Sequence, residues 1–372
     1  MTWLPPEAES LLGGAVGLLP GDCLERLAAL PEASVDAVVT DPPYHLTSIV
    51  KRFGGSSAAP SASSGAYLRS AKGFMGQTWD GGDLAFRPET WAAIARVLKP
   101  GGHVLAFGGT RGFARLFVAM EDAGLESRDL ILWLYGSGFP KSHNVGRLVA
   151  EWEGWGTALK PAVEPIALMR KPLSAGSVAR QCVETGTGAL NIDACRYGQA
   201  AATTHGSGGR VFGDGKGLWA PGKRTAFRPH EAGRWPANVI TDGSDEVAQA
   251  FAAFAAGGDN PMRFFYSAKA DDADRAGSGH PTIKPLALMQ WLIRLVTRRG
   301  GLVLDPFGGS GTTGEAAWRE GCRALLVERD GGYCEDIRRR MALAAAGPVE
   351  RAAARGRGAA APAGPLFGDG EP

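Results

Sequence analysis

The sequence predicts an α/β fold: a doubly wound, mostly parallel sheet with helices on both faces and an inserted, irregular region. Three observations predict it. Strand-like apolar runs alternate with segments of helical period. Two of those runs, Val35–Thr40 and Leu302–Asp305, end in an acid followed by proline, with an aromatic or glycine-rich turn beyond. Between the two halves lies a long Gly-, Ala- and Ser-rich stretch with no sustained period.

The first run, Val35-Asp36-Ala37-Val38-Val39-Thr40, has the length and β-branched content of a buried strand, and Asp41-Pro42-Pro43-Tyr44 ends it. Each proline ring fixes φ and removes an N–H donor, so the strand tip carries only acceptors, with an aromatic ring directly after them. A carboxylate and proline carbonyls suit the NH2 group of an adenine or cytosine turned out of its stack, and Tyr44 suits its ring. The plainer alternative is a Pro-Pro turn with Asp as turn former and Tyr as packing.

Helical period over 91–98 brings Trp91, Ile94, Ala95 and Leu98 to one side. Lys99-Pro100-Gly101-Gly102 reads as a stop, and 103–107 as the next strand. A helix over 112–123, a strand over 130–134 and a late strand near the sheet edge over 164–171 continue the alternation, and a helix over 285–297 leads into the second half. There, Leu302-Val303-Leu304-Asp305-Pro306-Phe307-Gly308-Gly309-Ser310-Gly311-Thr312-Thr313 reads as buried strand, glycine turn and helix start. Glycines let backbone approach a ligand closely, and Asp305 stands where it could accept from a cationic amine. After a helix near 313–320, the strand Arg323-Ala324-Leu325-Leu326-Val327-Glu328 ends in an acid about 20 residues past the turn, the position from which doubly wound folds grip ribose hydroxyls. A dehydrogenase could use such an acid, and Gly309-Ser310-Gly311-Thr312-Thr313-Gly314 has the Gly-x-Gly-x-x-Gly spacing, but the Asp305-Pro306-Phe307 ahead of it favours a ligand with an amino acid end over a pyrophosphate.

Together these motifs resemble the DNA amino-methyltransferases of the N6-adenine/N4-cytosine group, in the β-class order with the catalytic tetrad ahead of the cofactor motif. Gly21-Asp22-Cys23, Phe264-Phe265-Tyr266-Ser267-Ala268-Lys269-Ala270 and His280-Pro281-Thr282-Ile283-Lys284-Pro285 match further segments of that family, and the resemblance covers roughly 18–172 and 235–342. It implies a Rossmann-like fold dependent on S-adenosylmethionine. It also implies catalysis by Asp41, Pro42, Pro43 and Tyr44, and cofactor contacts at Asp22, Cys23, Lys284, Asp305, Phe307, Gly309, Gly311, Thr312 and Glu328. The plain alternatives are a helix cap for Asp22, a solvated charge for Lys284, and core packing for Phe307 and Cys23.

The implied organisation is a catalytic half over 1–172, a target-recognition insertion over 173–234, a cofactor half over 235–344 and a disordered tail over 345–372. Asp at the first tetrad position is commoner in the adenine branch, so N6-adenine in duplex DNA is the expected target and N4-cytosine the alternative. A methyltransferase acting on RNA or a protein amide, and a DNA-binding subunit without activity, are the other readings. Family habit leaves room for a restriction endonuclease partner and for a homodimer.

Composition bounds these expectations. The formal net charge is only +2, so binding to DNA requires an uneven distribution, and 160–240 supplies one. Lys160, Arg170, Lys171, Arg180, Arg196, Arg210, Lys216, Lys223, Arg224, Arg228 and Arg234 stand there against five acids, with Tyr197, Trp219, Phe227 and Trp235 between them. The five cysteines form no C-x-x-C pair and the six histidines are scattered, which argues for reduced thiols and against a zinc site. No metal is expected. No apolar stretch reaches the length of a membrane span and the first residues do not read as a signal peptide, so a cytoplasmic setting is expected. The Gly/Ser/Ala-rich stretch over 54–65 is expected to form a loop able to close over DNA.

Overall fold

The computed structural model describes residues 3–44, 83–136, 142, 144–197, 233–245, 247, 249, 265–266, 270 and 272–346. The loop expected over 54–65, most of the basic insertion and nearly all of the expected tail lie outside the described residues.

The strands are β1 (Glu9–Leu11), β2 (Val16–Pro20), β3 (Val35–Thr40), β4 (Leu98–Phe107), β5 (Glu126–Leu134), β6 (Val163–Arg170), β7 (Val239–Thr241), β8 (Phe265–Tyr266), β9 (Leu302–Asp305) and β10 (Arg323–Glu328). They form one sheet in the order β1-β2-β10-β9-β3-β4-β6-β5-β7-β8. Pairing is parallel except at β1–β2, β4–β6 and β5–β6. The principal helices are α1 (Cys23–Ala29), α2 (Pro88–Val97), α3 (Phe113–Asp122), α4 (Val178–Thr185), α5 (Leu286–Val296), α6 (Thr312–Arg319) and α7 (Gly331–Ala345).

The two-residue period of the strands divides the core. Ala324 and Leu326 of β10 and Val303 of β9 face α5, α6 and α7, packing with Leu292, Ala316 and Ile337. Leu325, Val327 and Leu304 face the other side, where Leu27 of α1, Trp91 and Ile94 of α2 and Met120 of α3 cover them. Both faces are therefore dry, and the expected doubly wound architecture is present.

Two local expectations are corrected. The Lys99-Pro100-Gly101-Gly102 stop lies inside β4, because Gly101 N–H donates to the Lys171 carbonyl at 3.0 Å and Lys171 N–H to the Gly102 carbonyl at 2.9 Å. Pairing with β6 thus absorbs the kink, Gly101 takes φ +78°, and the β3–β4 register shifts between Val35 and Ala37. The strand expected near the edge is interior: β6 lies between β4 and β5, with β7 and β8 beyond.

The two motif-bearing strands are neighbours. β3 pairs in parallel with β9, Val38 opposite Leu304, so the turns after both open at the same end of the sheet. From this junction the chain winds one way through β4 and the other through β10. That is the crevice in which doubly wound folds bind ligands.

Candidate active site

At the tip of β3, Pro42 is buried, while Asp41, Pro43 and Tyr44 are half-buried. Asp41 Oδ2 accepts from Lys284 Nζ at 2.5 Å. The other oxygen, Oδ1, is buried with no hydrogen-bond partner. A carboxylate oxygen held dry without a donor costs free energy unless something arrives to donate to it. Tyr44 lies against Gly109, where an added Cβ would stand 3.3 Å from the ring. Its hydroxyl donates to Glu164 Oε2 at 3.4 Å, a long bond. An apolar recess lined by Pro42, Pro43, Phe86, Phe107 and Leu116 backs the tetrad.

Lys284 is 6% exposed. Burial works against its charge, but the facing carboxylates of Asp41 and Glu164 outweigh it and hold the ammonium above the usual lysine range. Its Nζ also lies 4.9 Å from the Phe107 ring centroid and 5.5 Å from that of Tyr44, within cation–π range. The family resemblance places Lys284 with the cofactor residues; the structure brings it onto the Asp41 carboxylate. Glu164 also stands in this cluster, though the sequence marks it only as a strand residue. The available signal was an acid within the otherwise apolar run Val163-Glu164-Pro165-Ile166.

Asp305 at the tip of β9 faces inward. Oδ1 accepts from Thr40 Oγ1 at 2.6 Å and from Phe307 N–H at 3.1 Å, and Oδ2 from Thr313 Oγ1 at 2.6 Å. Both oxygens therefore organise the turn and join it to β3. Burial pushes this carboxyl up to about 6, against the pull of those donors. The folded state then holds the proton more tightly than an unfolded chain with its value near 3.8, so the stabilising contribution is complete below pH 3.8 and is lost as pH rises through 6. Relative to Asp305→Asn, the wild-type protein is expected to lose about 3 kcal/mol of stability over that window. Parallel urea unfolding of the two proteins across pH 4–7 checks this, and a constant difference would refute it.

The glycine turn is built for close approach. Gly309 takes φ +50° and Gly311 φ +81°, both in the region that favours glycine. A Cβ on Gly309 would fill the space toward His280, 3.4 Å from Nε2. Glu328 ties this turn down: Oε2 accepts from Gly309 N–H and Oε1 from Asp330 N–H, each at 2.7 Å. Burial raises the Glu328 carboxyl above its ordinary value despite these bonds. Thr312 begins α6, buried, with its hydroxyl 3.3 Å from that of Ser310, and Phe307 packs at the margin of the core. Asp22 caps α1, Oδ1 accepting from Leu24 N–H at 2.9 Å. Cys23 packs with Leu19 and Leu27, and burial pushes its thiol up to about 12. It is therefore a protonated core residue. Asp305, Phe307, Gly309, Gly311, Thr312 and Glu328 thus share one turn region, with Asp22 and Cys23 at the end of neighbouring β2.

All five cysteines are free thiols. Among the described residues no group of His, Cys, Asp or Glu could hold a metal ion, and no helix is long and apolar enough to cross a membrane.

A family model described as DNA methylase, of the N6/N4 group, matches residues 35–339. The chain is 26% identical over 338 residues to the Type II methyltransferase M.HindIII of Haemophilus influenzae, covering 84% of this chain and 90% of that protein. It is 42% identical over 62 residues to the Type II methyltransferase M2.DpnII of Streptococcus pneumoniae, 17% of this chain and 23% of the other. Among solved structures, the cytosine-N4-specific PvuII DNA methyltransferase superposes with a TM-score of 0.51 at 16% identity over 92% of each chain, a likeness of fold.

Proposed function

The chain belongs to the N6/N4 DNA methylase family, and on that premise we propose that it transfers a methyl group from S-adenosylmethionine to the exocyclic N6 amine of adenine within a specific duplex DNA sequence, the base being flipped out of the helix. The observation that carries this reading is the Asp41 carboxylate, fixed at a strand tip with one buried oxygen left without a donor.

The residues fit the methyl donor. The glycine turn leaves a cradle that a single Cβ would fill, Glu328 stands beside it on β10 and His280 faces it, and Asp22 lies next to Gly21, whose N–H donates to the Glu328 carbonyl. When bound, S-adenosylmethionine supplies an electrophilic sulfonium methyl. The protein's task is to make a poor nucleophile attack it, because the amine's lone pair is delocalised into the ring. Hydrogen bonds from the NH2 group to Asp41 Oδ1 and to the Pro42 carbonyl favour a tetrahedral nitrogen and localise that pair. An amine that accepted the methyl group would become cationic, and the preset Asp41 carboxylate would stabilise that charge until a proton is released to solvent. Stacking on Tyr44 holds the ring for in-line approach. Both groups are in place before the base arrives, so little reorganisation is needed.

The preference for adenine rests on Asp at position 41. Mass spectrometry of hydrolysed DNA, after incubation with the protein and S-adenosylmethionine, is expected to show N6-methyladenine. N4-methylcytosine would overturn the choice of base, and unmodified DNA with no cofactor retained would overturn the reading. The same assay separates the roles of Tyr44. Tyr44→Phe keeps the ring, loses the hydroxyl's contacts with Glu164 and Asp41, and should stay within about threefold of wild type. Tyr44→Ala loses the stacking surface and should fall about tenfold or more. Equal losses would assign the effect to the hydroxyl. The basic stretch over 173–234, in the place of a target-recognition region, is proposed to grip the phosphate backbone, and a restriction endonuclease acting at the same site would be the natural partner.

A further inference from the structure

We propose that Glu164 is a positioning residue of the transfer site, keeping the catalytic carboxylate usable by taking a share of Lys284; the inference rests on the function proposed above. Lys284 Nζ lies 2.5 Å from Asp41 Oδ2 and 3.4 Å from Glu164 Oε2, and the same Glu164 oxygen accepts from the Tyr44 hydroxyl at 3.4 Å. One acid therefore touches Tyr44 directly and reaches Asp41 through the shared Lys284. Its place is set by the sheet. Phe107 of β4 pairs with Ile166 of β6, and Gly108 N–H donates to the Pro165 carbonyl at 2.9 Å, which brings Glu164 level with the tip of β3.

The charge arithmetic gives this contact its meaning. An ammonium paired with Asp41 alone would make a neutral couple, and a neutral couple does little for an amine that becomes cationic in the transition state. A second carboxylate on the same ammonium leaves the trio with net charge −1, close to the oxygen that faces the amine. Lys284 has three protons to give and is almost fully buried, so two acceptors also satisfy it better than one. The side chains of Asp41 and Glu164 retain 21% and 22% of their exposure, which places the surplus charge at the mouth of the crevice, where a base would enter.

The test compares wild type, Glu164→Gln and Glu164→Asp in methyl transfer to DNA, with cofactor affinity measured by calorimetry. Wild-type transfer in the same assay secures the underlying reading; without it, that reading fails rather than this one. With wild type active, Glu164→Gln is expected to lower kcat about tenfold to a hundredfold. Its dissociation constant for S-adenosylmethionine should stay within about threefold of wild type, because no cofactor-binding group is removed. Glu164→Asp, which retains the charge, should recover part of the loss. Glu164→Gln within about twofold of wild type, a matching loss of cofactor affinity, or no advantage of Asp over Gln would each overturn the inference.

Discussion

Asp41→Ala is expected to lower methyl transfer by about a thousandfold or more while leaving S-adenosylmethionine bound. In the proposed mechanism the substitution removes the acceptor for the amine and the charge that stabilises the developing cation. In energetic terms this is about 4 kcal/mol of transition-state stabilisation. It leaves the Thr40–Asp305–Thr313 bridge and the glycine turn unaltered, so the cofactor side should be spared. Lys284, deprived of its nearer partner, retains Glu164. Asp41→Asn sharpens the experiment by keeping the shape and removing the charge. Single-turnover transfer of a labelled methyl group, run beside a binding titration, reads both quantities, and a variant within tenfold of wild type would remove Asp41 from the mechanism.

Arg340→Ala should give the largest loss of stability, about 3 kcal/mol, because it removes a buried guanidinium and its three acceptors' donor at once, even though Glu315 Oε1 keeps Arg319 at 2.8 Å. Arg340 is 1% exposed and Glu315 6%. The guanidinium donates to Glu315 Oε2 at 3.0 Å, to the Ser310 carbonyl at 2.8 Å, and to the Asp274 carbonyl. One side chain of α7 thereby pins the glycine turn, the start of α6 and the segment ahead of His280. Urea unfolding reads the loss directly, and less than about 1 kcal/mol would show the network to be dispensable. Since Ser310 lies within the turn, cofactor affinity should weaken as well.

The fold was legible where a strand ended in special chemistry. Val35–Thr40 has the apolar, β-branched content of a doubly covered strand and Leu302–Asp305 the unbroken apolar run of one, and the turns after them carry residues whose backbone needs are local. The stop within β4 was misleading because its fate depends on β6, more than 60 residues away, whose backbone completes the pairing that 99–102 would otherwise lack. At the site, the tetrad and the glycine turn were readable as motifs. The partners of their charges were not: nothing local shows that Lys284 will reach Asp41 across 243 residues, or that Asp305 will turn inward to Thr40 across 265. Those contacts are decided by strand order. Glu164 was hidden for the same reason, since its meaning appears only when β6 lies beside β4.

That strand order also governs how the chain must assemble. The C-terminal pair β9 and β10 is wedged between β2 and β3, so β2 and β3 cannot complete their ladders until residues 302–328 arrive. On a ribosome those residues emerge after the other strands of the sheet, and for most of synthesis the facing edges of β2 and β3 stand open to any passing strand. Closure across so long an interval is slow and exposes the nascent polypeptide to aggregation. A raised demand for chaperones during expression is the expected consequence of this strand order, and a chain truncated before β9 should accumulate as insoluble material.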